Sequence, residues 1–343
     1  MSYQIVRLHF RQPLHLSRGK PNTFESSEQM LHSDTLQAAL YVCALQLFDH
    51  ATAEDFRNKV LISSAFPWTE TDGYWLPKPS HWQPESKPEL RKIFKKITWL
   101  QKKHFDLLLE GKSVPPAELI VEDEKGQRLL EPKIWEADTT QRVLLDRIDS
   151  RSTPFYLEKL YPVERPLFDT RGKRQANVFN GKRVTGHTDR SLYVLVQNEG
   201  FPYLEALFRL LGDNGIGLQR SLGNGAFEAV FAPETLNFPA VQQSEAWVSL
   251  SLFRPNDQEF LKQMHLDKSH YQLLKRGGWV SSPEDTAHMR LRKSSVLMFA
   301  EGAVLAFQNG LKPQGDFVDL DPRTDVKHPV WRDGRGMFLP IKF

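Results

Sequence analysis

The chain has 343 residues, 40% of them hydrophobic, a formal net charge of +3 and a mean hydropathy of −0.47. That is enough apolar material for one or two globular domains. It excludes binding to nucleic acid through bulk charge alone, and the lack of any run of about 18 apolar residues excludes a transmembrane helix. The single Cys43 falls at an apolar helix position and cannot form an internal disulfide, and charges from Arg7 onward interrupt any signal-peptide core. A cytoplasmic protein is expected, with no membrane contact.

Residues 4–11 alternate Val6, Leu8 and Phe10 with Arg7, His9 and Arg11, which predicts a strand. A polar loop follows to His32. Ser33 reads as a helix N-cap with Asp34 in the first turn, and Leu36, Leu40, Cys43 and Leu47 line one face to about His50. Residues from about 60 to 165 are rich in Pro, Trp and charge and read as an insertion. Within it, strands are predicted near Leu61–Phe66, Tyr74–Leu76 and Arg142–Ile148, with a short helix near His104–Leu109. Arg190–Gln197 is again a strand. Phe201, Leu204, Leu207, Phe208 and Leu211 recur at helical spacing up to Gly212, and Phe227, Ala229 and Phe231 alternate as a strand. The order is β-α-(insertion)-β-α-β, which is ferredoxin-like.

Ala232–Glu245 carries two prolines and no periodicity, and reads as a linker. A second part opens on the alternating strand Val248–Leu252. A helix is predicted near Asn256–His265, and strands near Trp279–Ser281, Lys293–Ala300, Ala303–Gln308 and Met337–Ile341. The predicted class is α+β: two ferredoxin-like (RRM-like) domains, residues 1–231 with the insertion and residues 245–343.

The segment Gly212–Glu228, GDNGIGLQRSLGNGAFE, is the most informative stretch. Its helix–loop–strand setting excludes the Rossmann fingerprint and the P-loop, which run strand–loop–helix. Gly217, Gly223 and Gly225 bracket Arg220, Ser221 and Asn224. This permits either a nest of backbone N–H groups with a cation, or a tight turn with no ligand. Charge distribution adds two basic runs. Lys87–Lys103 holds seven Lys/Arg and one acid, and Arg171–Arg190 holds six Lys/Arg and one acid. Each is a solvated face or the footprint of an anionic partner. The eleven histidines show no HExxH and no Cys partners, and no catalytic triad or metal set is defined.

In combination, HSDTL (His32–Leu36), LLDRID (Leu144–Asp149), GIGLQRSLGNGAF (Gly215–Phe227), LLKRGGWV (Leu273–Val280), SSVLMFAEGAVL (Ser294–Leu305), GDFVDL (Gly315–Leu320) and HPVWRDGRGMFLPI (His328–Ile341) resemble the RAMP proteins of CRISPR systems. More narrowly, the chain is similar to the "Cas five"-type RAMP subunits of type III-A (Csm) effector complexes. That resemblance implies a non-catalytic subunit that grips the repeat-derived 5′ tag of the guide RNA (crRNA). The implied partners are the large signature subunit and a backbone RAMP subunit, with no cofactor. Relatives often carry RRS-x-GYG in the loop where this chain has Gln219 and Asn224, and YRYGKAF where it has WRDGRGMF.

The candidate RNA contacts are, first, Gly217, Arg220, Ser221, Gly223, Asn224 and Gly225 of the Gly-rich loop. Arg18 and Lys20 follow the first strand. His32 and Ser33 sit at the helix start, where free N–H groups hold phosphate or are simply capped. Arg147 and Arg151 lie in an element resembling the family's thumb-like hairpin, where Arg147 packs along RNA or pairs with Asp146 or Asp149. Lys173, Arg174, Lys182, Arg183, His187 and Arg190 form the second basic run. Arg276, Arg290 and Arg292 lie in the second part, with Trp279 either a base stacker or a core residue. The alternative function is a metal-independent, repeat-processing endoribonuclease of the "Cas six" type, in which the Gly-rich loop lies near the C-terminus.

Overall fold

A computed structural model describes residues 1–17, 24–84, 90–123, 126–145, 151–163, 167–168, 174–175, 178–179, 182–183, 190–242, 244–280, 291–321 and 329–342. The elements are β1 (Ser2–Phe10), α1 (Ser33–Leu47), α2 (His50–Lys59), β2 (Val60–Ile62), β3 (Phe66–Thr69), β4 (Gly73–Pro77), α3 (Arg91–Phe94), β5 (Trp99–Gln101) and α4 (Lys102–Leu109). Two hairpins follow, β6 (Ile120–Asp123) with β7 (Gly126–Leu129) and β8 (Trp135–Leu145) with β9 (Ser152–Pro162). Then come four two-residue strands, β10 (Leu167–Phe168), β11 (Arg174–Gln175), β12 (Val178–Phe179) and β13 (Lys182–Arg183). Next are β14 (Arg190–Asn198), α5 (Leu204–Asn214) and β15 (Phe227–Asn237). The last part holds β16 (Ala246–Ser249), α6 (Gln258–Lys262), β17 (Leu273–Arg276), β18 (Val296–Phe299), β19 (Val304–Ala306), β20 (Phe317–Asp319), β21 (Trp331–Asp333) and β22 (Phe338–Ile341).

The protein is mixed α/β with antiparallel sheets. The main sheet runs β15-β1-β14-β3-β4-β5, with β2 also paired to β14. Its central strand β1 is buried on both faces. Val6, Leu8 and Phe10 join α1 and α5 in one core, through Leu36, Leu40, Leu207 and Phe208. Tyr3 and Ile5 face a second core containing Tyr193 and Leu195 of β14. Burying each such side chain contributes about 1.5–3 kcal/mol. Arg7 also lies on this second face. Its guanidinium sits 4.3 Å over the Trp68 ring, bonds Tyr74 Oη at 2.6 Å and pairs with Glu234. The polar beat in the strand pattern is therefore a cation held in an aromatic slot.

The second core also takes in Ala246, Val248, Val304 and Ile341 from the last hundred residues. The two halves thus share apolar packing. The expected linker at 232–245 begins as strand: β15 continues to Asn237, and Ala232, Leu236 and Phe238 are buried in the shared core. Pro233 is accommodated because β15 is an edge strand and its register with β1 shifts at a bulge opposite Ile5.

The expected insertion likewise begins too early. Residues 60–62 and 66–69 pair with β14, and β4 and β5 extend the same sheet. The excursions from the sheet are α3, α4 and the two hairpins. Helix α2, unforeseen in the sequence pattern, starts at an Asp49 cap that accepts from the Thr52 N–H. The second half departs further from expectation. Among its described residues the sheets are the three-stranded β19-β16-β22 and the pairs β17-β18 and β20-β21. The five-residue α6 is the only α-helix there, so these residues do not form a second complete ferredoxin-like unit.

Candidate RNA-binding cleft

The Gly-rich loop begins where α5 ends, at Gly215 with φ +70°, rather than at Gly212, which is buried inside the helix. Gly212 has a local reason: a Cβ there would collide with the Phe227 carbonyl oxygen of β15. The loop then folds back on the segment after β1. Leu218 N–H donates to His15 O (3.0 Å), Gly225 N–H to Pro13 O (2.8 Å), and Ile216 N–H to Gly225 O (3.1 Å). Gly217 (φ +90°) would set a Cβ 2.5 Å from His15 O, so glycine is required by close approach of two backbones.

This geometry revises the nest reading. Gly223 N–H donates to Arg220 O (2.8 Å), Asn224 N–H to Gln219 O (3.4 Å), and Asn224 Nδ2 to Gln219 Oε1 (3.0 Å). The amides of Gly223 and Asn224 are thus consumed by the turn itself and that of Gly225 by Pro13 O, and Asn224 and Gly225 are buried. Arg220 and Ser221 are exposed at the turn's crest, and neither side chain makes a hydrogen bond or ion pair among the described residues.

Arg220 and Gly217 form one wall of a cleft of about 430 Å³. Ser17, Glu28, the start of α1, Lys275–Trp279 and Arg292 line it as well. Trp279 is 53% exposed, so the expectation of a core tryptophan is overturned. It bridges in register to Arg292, whose guanidinium carbon sits 4.9 Å over the indole. Flanking backbone bonds, Val280 N–H to Leu291 O and Lys293 N–H to Gly278 O, fix that pairing. Arg292 is exposed, and among the described residues its side chain meets only the ring.

His32, Ser33 and Arg276 reach the same place but are committed to the fold. Arg276 is bidentate to Asp34 (2.9 and 3.0 Å), bonds Thr35 Oγ1 at 3.1 Å and lies 3.5 Å from Glu28. Arg332 also pairs with Asp34 and donates to Gly277 O (2.7 Å). His32, not Ser33, is the N-cap residue of α1, and its side chain does not cap the helix. Its ring lies between Glu301 (2.8 Å) and Glu28 (3.5 Å), while Ser64 Oγ donates to Glu301. Ser33 Oγ accepts from Leu252 N–H (3.1 Å), and Ser33 N–H donates to Ser64 Oγ (2.9 Å). The helix N-terminus therefore meets an internal carboxylate and hydroxyl, not an open anion site.

Burial opposes charge on His32, but Glu301 and Glu28 more than offset it and raise its pKa to about 9. Glu28 and Glu301 are likewise destabilised by burial and then held below the usual carboxylate range by His32. Burial pulls Arg332 down to about 10 and also lowers Arg276, against the pull of nearby carboxylates. All of these groups remain charged at neutral pH and lock the β17 hairpin onto α1. Cys43 is buried as expected, and burial pushes its thiol up to about 11.

The remaining candidates lie elsewhere. Arg190 donates to Lys133 O (2.7 Å) at the base of the β8–β9 hairpin, outside the cleft lining. Arg151 is exposed beside the first residue of β9. Arg174, Lys182 and Arg183 lie in short strands. Arg18, Lys20, Arg147, Lys173, His187 and Arg290 lie outside the described residues. Sequence reasoning missed Lys275, Arg332, Glu28 and Glu301. No spacing rule links Asp34 to residues 242 and 298 positions away. No metal-holding cluster occurs among the described residues, and none of their helices is long and apolar enough to cross a membrane.

The fold is shared with subunits solved in type III CRISPR assemblies. A Csm1–Csm4 cassette solved with cA4 aligns over 100% of this chain and 98% of the matched chain, with TM-score 0.60 and 20% identity. A Csm3–Csm4 subcomplex of a type III-A interference complex aligns over 99% of each, with TM-score 0.60 and 17% identity. In sequence the chain is similar to Csm4 proteins. Residues 242–341 match the CRISPR Csm4 C-terminal domain. The Csm4 protein of Thermococcus onnurineus is 26% identical over 290 residues, covering 80% of this chain and 81% of that one. That of Methanocaldococcus jannaschii is 23% identical, covering 99% and 98%.

Proposed function

We propose that this chain is the non-catalytic subunit that holds the repeat-derived 5′ tag of a guide RNA at one end of a type III-A complex. It would sit against a Csm1-like large subunit and a Csm3-like backbone subunit. The assembly follows from the company in which its structural relatives were solved. The order β15-β1-β14-β3, with α1 and α5 on one face, supports a ferredoxin-like first unit.

The observation that carries the RNA reading is one cleft lined both by Arg220, whose side chain has no ion pair or hydrogen bond among the described residues, and by an exposed Trp279 beneath Arg292. A single strand needs cations for phosphates and a flat surface for a base. Both are present, on walls braced by the His32–Glu301 and Arg276–Asp34 pairs. The endoribonuclease alternative gains nothing from the site. The histidine lining the cleft, His32, is clamped between two carboxylates and has no freedom to shuttle protons to a substrate.

Binding of labelled repeat-tag RNA to the purified protein tests the reading. With about six phosphates neutralised, the log–log salt slope should be about −4. Arg220→Ala should weaken binding and reduce the slope by less than about 1. A salt-independent affinity, or no response to Arg220→Ala, would sink the assignment.

A further inference from the structure

The basic run that starts near residue 87 has no part in the cleft described above. Among its described members, Lys95 and Lys96 line a second cleft of about 760 Å³ together with Lys78, His270 and Tyr271. Met30 and His32 line both clefts, so the two share a dividing wall. Lys96 also lines a third cleft with Lys92 and Lys133. Cations therefore continue from Arg220 and Lys275 around the 28–32 segment to the start of α3.

Three features make the second cleft more than a solvated face. Lys78, Lys95 and Lys96 make no ion pair or side-chain hydrogen bond among the described residues. The carboxylate in its lining, Glu301, is already matched by His32. Lys78 is half-buried, and loss of water around its ammonium pushes its pKa down, a penalty that an incoming anion would relieve. Its walls are also preformed. Ser80 N–H donates to Gly302 O (2.8 Å), Lys78 N–H to Thr98 O (3.0 Å), and His270 and Val304 exchange two 2.8 Å backbone bonds. Tyr271 is 36% exposed, with its ring held edge-on to Phe299 at 4.8 Å.

We infer that this second cleft binds the continuation of the same RNA single strand, with Lys78, Lys95 and Lys96 on phosphates and Tyr271 stacking on a base. The inference rests on the RNA-holding role proposed above. Cations without an ion pair among the described residues, of which Lys96 has only the longer-range pull of Glu131, suit with one oriented ring a phosphate–sugar backbone, whose every base offers a face to stack.

The test uses the full chain and a labelled single-stranded RNA of about 12 nucleotides, within the span that single-strand-binding folds cover. Lys95 and Lys96 are exposed, so the double variant Lys95→Glu/Lys96→Glu should keep the wild-type melting temperature. Its affinity should fall at least roughly ten-fold, the equivalent of one charge-assisted contact. Its salt slope should drop by about 1.4 for two lost phosphates. Tyr271→Ala should weaken binding without changing the slope. If Arg220→Ala weakens binding while the Lys pair and Tyr271 variants do not, the second cleft is overturned and the proposed function stands. If none of the variants matters, both fall. Loss of a protein subunit from the assembled complex with RNA affinity unchanged would make this face a protein dock and refute the inference.

Discussion

Replacing Glu301 by Gln removes one charge and keeps the shape. Glu301 is buried, 2.8 Å from His32 Nδ1, and accepts from Ser64 Oγ. The histidine pKa is about 9 in the fold against an ordinary 6.5, so its contribution is complete below pH 6.5 and disappears as pH rises through 9. The linkage amounts to about 3 kcal/mol at pH 5, falls only a little by pH 7 and is mostly gone by pH 9. These are ceilings, because Glu28 stays 3.5 Å away and keeps part of the shift. Urea unfolding followed by tryptophan fluorescence at pH 6, 7 and 9 should show Glu301→Gln clearly destabilised at pH 6 and nearly equal to wild type at pH 9. A loss of the same size at all three values, or none at pH 6, would refute the charged pair as the source of stability.

Other outcomes follow from the same geometry. Gly225→Ala should collapse the loop and cut stability by more than about 2 kcal/mol, since φ is +74° and the new Cβ overlaps the Ile216 carbonyl. Gly223→Ala meets open space at φ +79° and should cost only about 1–2 kcal/mol; thermal melts compare the two. Trp279→Ala should leave the melting temperature nearly unchanged while weakening tag binding by about 1–3 kcal/mol, measured by anisotropy. Arg276→Ala should instead lose about 3–5 kcal/mol of stability, because Asp34 stays buried with half its partners gone. An Arg276 variant that melts like wild type yet fails to bind RNA would reverse the division of roles between Arg276 and Arg220.

Local elements were legible wherever one segment's own pattern governs them. Period-2 alternation placed β1, β14 was expected where it occurs, helical spacing placed α1 and α5, and the Gly-rich stretch was correctly set between helix and strand. Short apolar runs were harder to place. Residues 60–69 read as part of an insertion because nothing in their own composition says that β14, more than a hundred residues later, pairs with them. The supposed linker at 232–245 failed for the same reason. Pro233 looks like a breaker until β15 is seen to be an edge strand with a bulge. Trp279 looked like core from residue type alone, and only the hairpin pairing with Arg292 puts it outside.

By itself the sequence determined the antiparallel-friendly order of strands and helices, the sharp turn at 215–225 and the presence of surplus cations without acids beside them. Those follow from backbone sterics and local spacing, which a window of residues contains in full. Which cations are free was decided only by tertiary structure. Arg220 and Arg276 are alike on the page. Folding brings Asp34 and Glu28 to Arg276 from more than two hundred residues away and brings no carboxylate of the described residues into an ion pair with Arg220. A buried guanidinium must be paired to be tolerated, whereas an exposed one can wait for a phosphate.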